Sequence, residues 1–213
     1  MRPGPTARKR ARVSALSEQA SLVLAFDAID AANAADPNLI GDRPRALVQG
    51  ERATLWLQRL APQASDALRL ATRAHHVARW TIARTAYPEG RVGYLRWRRD
   101  LKLVHADLLG VLLAPCGVAS EVIDRAQQLV AKQGPQTAPE AQAFEDVVCL
   151  VFLETQFEDL IDRLDEQKVV DVLRKTLPKM SAAAVALAGS ADLHPRGREL
   201  LERAAATRRD GDA

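Results

Sequence analysis

A chain of 213 residues, 47% of them apolar, can fill one core; a single folded domain is expected and a disordered chain is excluded. Its net charge is only +3, which excludes a dedicated DNA-coating protein whose affinity would come from many phosphate contacts. Two cysteines without a repeated spacing exclude a zinc-cysteine or disulfide framework, and no run reaches the roughly 20 apolar residues of a membrane span. The basic start, MRPGPTARKRAR, is not followed by an apolar stretch of the signal-peptide kind. It is read as a flexible arm over residues 1–15, and the cytoplasm as the compartment.

Leu22, Phe26 and Ile29 recur at helical spacing and predict a helix from Ser17 to Ala35, stopped by Asp36-Pro37-Asn38. Leu47, Leu55, Trp56 and Leu60 predict a second, ending before Pro62. Ser65 and Asp66 open a third that runs to Trp80, with Leu68, Ala71 and His75 on its apolar face and Thr72, His76 and Trp80 beside them. A Tyr87-Pro88-Glu89-Gly90 turn follows, because Pro88 drives Tyr87 out of helical dihedrals. The fourth helix, Gly93 to Leu113, turns Tyr94, Trp97, Leu101, His105, Leu108 and Leu112 to one side, so His105 points inward. Ser120 starts a fifth, and Pro139 suits the first turn of a sixth around residues 140–161. That helix is apolar on nearly every side from Val147 to Leu153, which marks it as the central buried one. Three more are expected at 166–177, 181–188 and 196–206, ahead of a polar tail at 207–213. No strand alternation is found, so the expected architecture is all-α: one multi-helix bundle over residues 16–206.

The stretch from His75 to His105 gathers three of the four histidines, two of the three tryptophans and both tyrosines, with Arg79, Arg84, Arg91, Arg96, Arg98, Arg99 and Lys102. Imidazoles and carboxylates are the ligands of Zn, Mn and Fe in hydrolytic sites, and a helical bundle builds such sites by aiming side chains from several helices inward. His76, His105 and Asp146 are the expected metal ligands, with Asp107 or Glu145 assisting water. Arg79, Arg84, Arg91 and Arg98, with Trp80, Tyr87 and Tyr94, would hold a small phosphorylated ligand. The expected site is a polar cleft where this segment meets the sixth helix.

This arrangement resembles the HD phosphohydrolase superfamily of all-α, metal-dependent enzymes. His76 stands where the first His would, and Asp146 where the last Asp would. The middle element departs, reading His105-Ala106-Asp107 instead of adjacent His-Asp. Adjacent residues diverge by about 100° on a helix, and residues two apart by about 200°. A resemblance over a longer span, Phe26 to Leu187, is carried by FDAIDAANAADPN, GERATLWL, HHVARWTIARTAYPEGRVGYLRWR, FEDVVCLVFLE and KTLPKMS. These segments look like the family called domain of unknown function 4202, which implies a small, soluble, mostly helical protein.

Lys179-Met180-Ser181 matches a tripeptide of class I aminoacyl-tRNA synthetases, but neither their His-containing turn nor a parallel-sheet pattern accompanies it; Ser181 is expected to cap a helix instead. No GxGxxG, GxxxxGK[ST] or GxSxG occurs. The expected function is metal-dependent hydrolysis of a small phosphorylated compound such as a nucleotide. The alternative is non-enzymatic binding of a nucleotide or RNA, with bases stacked on aromatic rings and phosphates held by arginine.

Overall fold

A computed structural model describes residues 5–136, 138–191 and 195–211, with side chains over 17–136, 138–191 and 195–204. The ends of the expected arm and tail, residues 1–4 and 212–213, and His194 lie outside the described residues. The fold is all-α, as the periodicity predicts. Among the described residues the exception is an antiparallel ladder of two residues per strand, Leu39–Ile40 (β1) and Arg43–Pro44 (β2), paired as Leu39 with Pro44 and Ile40 with Arg43. A plain loop is expected there from sequence; a two-residue strand is too short to show alternation. No helix among the described residues is long and apolar enough to cross a membrane.

The chain divides into two compact units, residues 1–50 with 65–134 and residues 51–64 with 135–213, where one bundle is expected from sequence. The boundary runs through helix α2 (Arg45–Leu60).

The first unit is built from α1 (Pro5–Asn33), α3 (Asp66–Arg73), α4 (Gly90–Leu113) and α5 (Ser120–Ala131). The first of these starts well before Ser17, so most of the expected arm is helix. Its buried stripe is Leu22, Ala25, Ile29 and Asn33, while Phe26 is only partly covered, under the Arg69 guanidinium. Helix α5 packs on both α3 and α4. A Cβ at Gly110 would meet the Gln127 side chain at 2.5 Å, so glycine admits that side chain, whose Nε2 donates to the Ala106 carbonyl at 2.9 Å. Arg73 donates from Nε and Nη2 to the two oxygens of Asp30, each at 2.6 Å, a bidentate pair tying α3 to α1. Asp36 serves both sides of the small ladder. Its Oδ1 accepts from the backbone and side chain of Asn38, and its Oδ2 from Ala46 N at the start of α2.

Helix α3 ends at Arg73, not at Trp80. Ser65 caps its start by accepting from Leu68 N. Its end has no Pro or Gly to announce it. The His75 imidazole donates Nδ1–H to the Thr72 carbonyl at 2.8 Å, taking the acceptor that a continuing helix would offer to His76 N. Ala78 then adopts a left-handed conformation (φ 50°), and Trp80 falls in a 3₁₀ turn, Arg79–Thr81.

The second unit holds α6 (Pro139–Thr155), α7 (Phe157–Arg163), α8 (Glu166–Thr176), α9 (Ala182–Ala188) and α10 (Pro195–Gly211). Phe144, Val147, Leu150, Val151 and Leu153 make α6 its buried helix. The expected helix over 140–161 is broken at Gln156 (φ −133°, ψ −11°). Thr155 Oγ1 donates back to the Val151 carbonyl at 2.8 Å, a bond that bends helices. The break also turns Phe157 into the core at 1% exposure. Burying a phenylalanine is worth about 1.5–3 kcal/mol, more than the ~1 kcal/mol of a helical hydrogen bond lost. Glu154 accepts from Trp56 Nε1 at 2.8 Å and lies 3.5 Å from Arg52, so its half-buried charge is matched. Ser181 caps α9 by accepting from Ala184 N.

Candidate functional site

Three imidazoles of the first unit come together. His75 and His76 stack with centroids 4.2 Å apart, and His76 and His105 are 6.4 Å apart. His105 comes from the buried face of α4, as its spacing from Leu101 and Leu109 dictates; His75 and His76 come from the turn after α3. His75 and His105 are 5% and 3% exposed, too little for water to serve their ring nitrogens.

The hydrogen bonds fix two of the tautomers. His75 donates Nδ1–H to the Thr72 carbonyl, and His76 donates Nδ1–H to Gln49 Oε1 at 2.7 Å. Each neutral ring therefore carries its lone pair on Nε2. That of His75 is buried without a hydrogen-bond partner, and His105 makes no hydrogen bond of good geometry, only a weak interaction with the Val77 backbone. Burial is the main cause that pulls His75 down to about 4, helped by the charges of Arg79 and Lys132. His105 is also pulled to about 4, by burial first and then by Arg79. His76 lies well below its ordinary value, through burial and then through His75, Arg79, His105 and Arg98.

Arg79 is the cation beside these rings. Burial lowers its pKa to about 10, with Arg98 adding repulsion, so it stays charged at neutral pH. Its guanidinium lies 4.8 Å from the Trp97 ring centroid. Trp97 is held in turn by donating Nε1–H to the Ile82 carbonyl at 3.0 Å, and its ring is 6.0 Å from that of Tyr94.

The other expected ligand-binding residues are placed differently. Arg84 donates to the carbonyls of Tyr87 and Gly90, fastening the turn before α4, and Tyr87 donates its hydroxyl to Asp100. Arg98 donates to the Tyr94 hydroxyl at 3.3 Å; both are exposed. Arg91 is exposed, and Trp80 is partly covered. Asp107 is exposed while His105 is buried, as two positions about 200° apart on one helix must be.

Glu145 and Asp146 belong to the second unit. The Asp146 carboxylate is buried at 1% exposure; its Oδ1 accepts from Gln142 Nε2 at 2.9 Å and from Ser181 N at 2.7 Å. Gln142 also donates to the Lys179 carbonyl, so Asp146 anchors the Lys179-Met180-Ser181 turn. Asp146→Ala is expected to cost about 1–3 kcal/mol, the penalty of stranding a buried N–H, read as a lower urea midpoint at unchanged m. Among the described residues, no group of three His, Cys, Asp or Glu is placed to hold a metal ion.

Two participants escape the sequence reading. His75 reads as a core-face residue, although the adjacent His-His pair was a signal. Gln49 gives none, because its bond to His76 spans 27 residues.

No curated protein and no solved structure matches the chain. The family model Domain of unknown function (DUF4202) matches residues 24–201. That span takes in α2 to α9, the imidazole group and Arg79 together, and the chain belongs to the DUF4202 family.

Proposed function

We propose that this protein binds a small phosphorylated compound, a nucleotide being the favoured class, and hydrolyses it with the help of a divalent metal. Arg79 carries the reading. Its guanidinium is partly desolvated, faces the like charge of Arg98, stacks on Trp97 and has no carboxylate partner among the described residues. A cation in that setting is relieved by an anion, and a guanidinium grips a phosphoryl group through two parallel hydrogen bonds. Trp97 and Tyr94 offer ring faces for a base. In this reading the imidazole lone pairs would hold the metal, which when bound would supply a hydroxide nucleophile near neutral pH. His76 and His105 are its ligands in this reading, and the kinship to HD-type phosphohydrolases rests on sequence spacing alone.

Calorimetric titration of the full-length chain with adenosine monophosphate and with inorganic phosphate tests the binding. Arg79→Met is expected to weaken both by about ten- to a hundredfold, the worth of a charge-assisted hydrogen bond. Equal affinity in that variant would remove the basis of the proposal. Phosphate release from the monophosphate with Mn²⁺ or Zn²⁺ present tests the hydrolysis. Binding without release would favour the non-enzymatic reading. That reading has its own support in the exposed Arg91, Arg96 and Arg99 beside exposed Val92 and Leu95 on α4.

A further inference from the structure

We infer that the exposed face of α4 is an interface with a second copy of this chain, in which the two α4 helices lie antiparallel about a two-fold axis passing between Asp100 and Leu103. The inference is independent of the phosphoryl-binding reading. His105 lies about 170° round the helix from the middle of this face and is buried on the other side.

Of the large apolar side chains left exposed among the described residues, the two most open to solvent are Val92 at 83% and Val111 at 69%, and both stand on α4. Leu103, between them, is exposed as well. Arg96 and Asp107 are exposed on the same helix, and neither makes a hydrogen bond or ion pair among the described residues. At about 100° per residue, Val92, Arg96, Asp100, Leu103, Asp107 and Val111 fall within an arc of about 100°. Their spacing along the chain is 4, 4, 3, 4 and 4 residues, the same from either end. A two-fold contact requires that symmetry, since residue i meets residue j and j meets i. With the helices antiparallel, Val92 meets the partner's Val111 and Arg96 meets the partner's Asp107, each contact being made twice. Leu103 falls beside the axis and packs near the partner's Leu103. Asp100, which also lies at the axis, has its charge matched within its own chain by Arg99 and Tyr87. A parallel pair would set Arg96 on the partner's Arg96 and Asp107 on the partner's Asp107, so the charges select the antiparallel register. Val92, Leu103 and Val111 supply the apolar contact, while the exposed charge pairs fix direction more than strength. One helix face is small for an interface, so the dimer belongs to the weak, concentration-dependent class.

Sedimentation of the full-length chain from about 1 μM to about 1 mM tests this, the range in which weak pairs form. The weight-average mass is expected to rise with concentration from 23.3 kDa toward twice that value. Arg96→Asp and Asp107→Arg should each weaken dimerisation by about tenfold or more, because each sets like charges face to face at two places. An equimolar mixture of the two variants should dimerise again, since each supplies the charge that the other lacks. Circular dichroism checks that both are folded. Should one unfold, Val92→Ser takes its place and should also weaken the dimer. A chain that stays at 23.3 kDa throughout overturns the inference, as does a dimer that both charge variants leave intact or a mixture that remains monomeric. A monomeric chain that binds single-stranded poly(U), with binding lost on Arg96→Asp, would give this face to RNA and overturn it too.

Discussion

Acidification of the metal-free chain is expected to strip stability progressively between pH 6.5 and about 4, with the buried imidazoles as the cause. His75 and His105 are pulled to about 4 from an ordinary 6.5, chiefly by burial, and the charges of Arg79 and Lys132 push the same way. In that window the unfolded chain takes up protons that the folded chain refuses, so stability rises with pH. The contribution is fully present above about 6.5 and lost as pH falls toward 4. At pH 4 the loss is on the order of 3 kcal/mol for each of these two rings. A domain's whole stability is about 5–15 kcal/mol, so the effect should dominate. Urea midpoints at half-unit steps from pH 7.5 to 4.5 check it. The steps above pH 5 are diagnostic, because ordinary carboxylates titrate lower. His105→Leu should flatten the profile, and a wild-type profile already flat above pH 5 would mean that the rings are hydrated.

Gly93→Ala is expected to have the next largest effect. Gly93 is buried in the first turn of α4, and a Cβ there would overlap the Pro88 carbonyl oxygen and come within 2.7 Å of its carbon. These are backbone atoms, so no rotamer change relieves the clash. The Tyr87–Gly90 turn would have to move, and with it the Arg84 bonds to Tyr87 and Gly90 and the Tyr87 bond to Asp100. A loss of about 2–4 kcal/mol follows, which lowers Tm by about 4–16 °C in a chain of this size. Gly90→Ala is the control. No atom lies within 4 Å of its added Cβ, and only the backbone strain at φ +82° remains, about 1–2 kcal/mol. Thermal melts showing the two variants equal would refute the steric argument.

What the sequence shows are the features set within a few residues. Ser65, Pro139 and Ser181 mark helix starts by local rules, and the structure uses all three. The inward direction of His105 follows from the 3.6-residue period alone. The end of α3 was not legible, because a side chain stops it: no propensity scale carries a His75 ring reaching the Thr72 carbonyl. Nor was the break at Gln156, which depends on a core position waiting for Phe157. The same division holds in the site. The sequence singles out His76, His105 and Arg79 as candidates, but Gln49 is joined to His76 only by tertiary structure. Arg84 and Tyr87 look available in sequence because their acceptors, two turn carbonyls and Asp100, are chosen by the fold.

The ladder of β1 and β2 is closed by Asp36 at its base, through Asn38 on one side and Ala46 on the other, with Arg45 N donating to the Asn38 carbonyl. Its tip, Gly41 and Asp42, is exposed, and space around Gly41 is open. Since one carboxylate secures the base, the tip can be lengthened at an entropic cost that grows only with the logarithm of the insert. That makes it the natural place to splice in an epitope or fluorophore-labelling tag without disturbing the imidazole group.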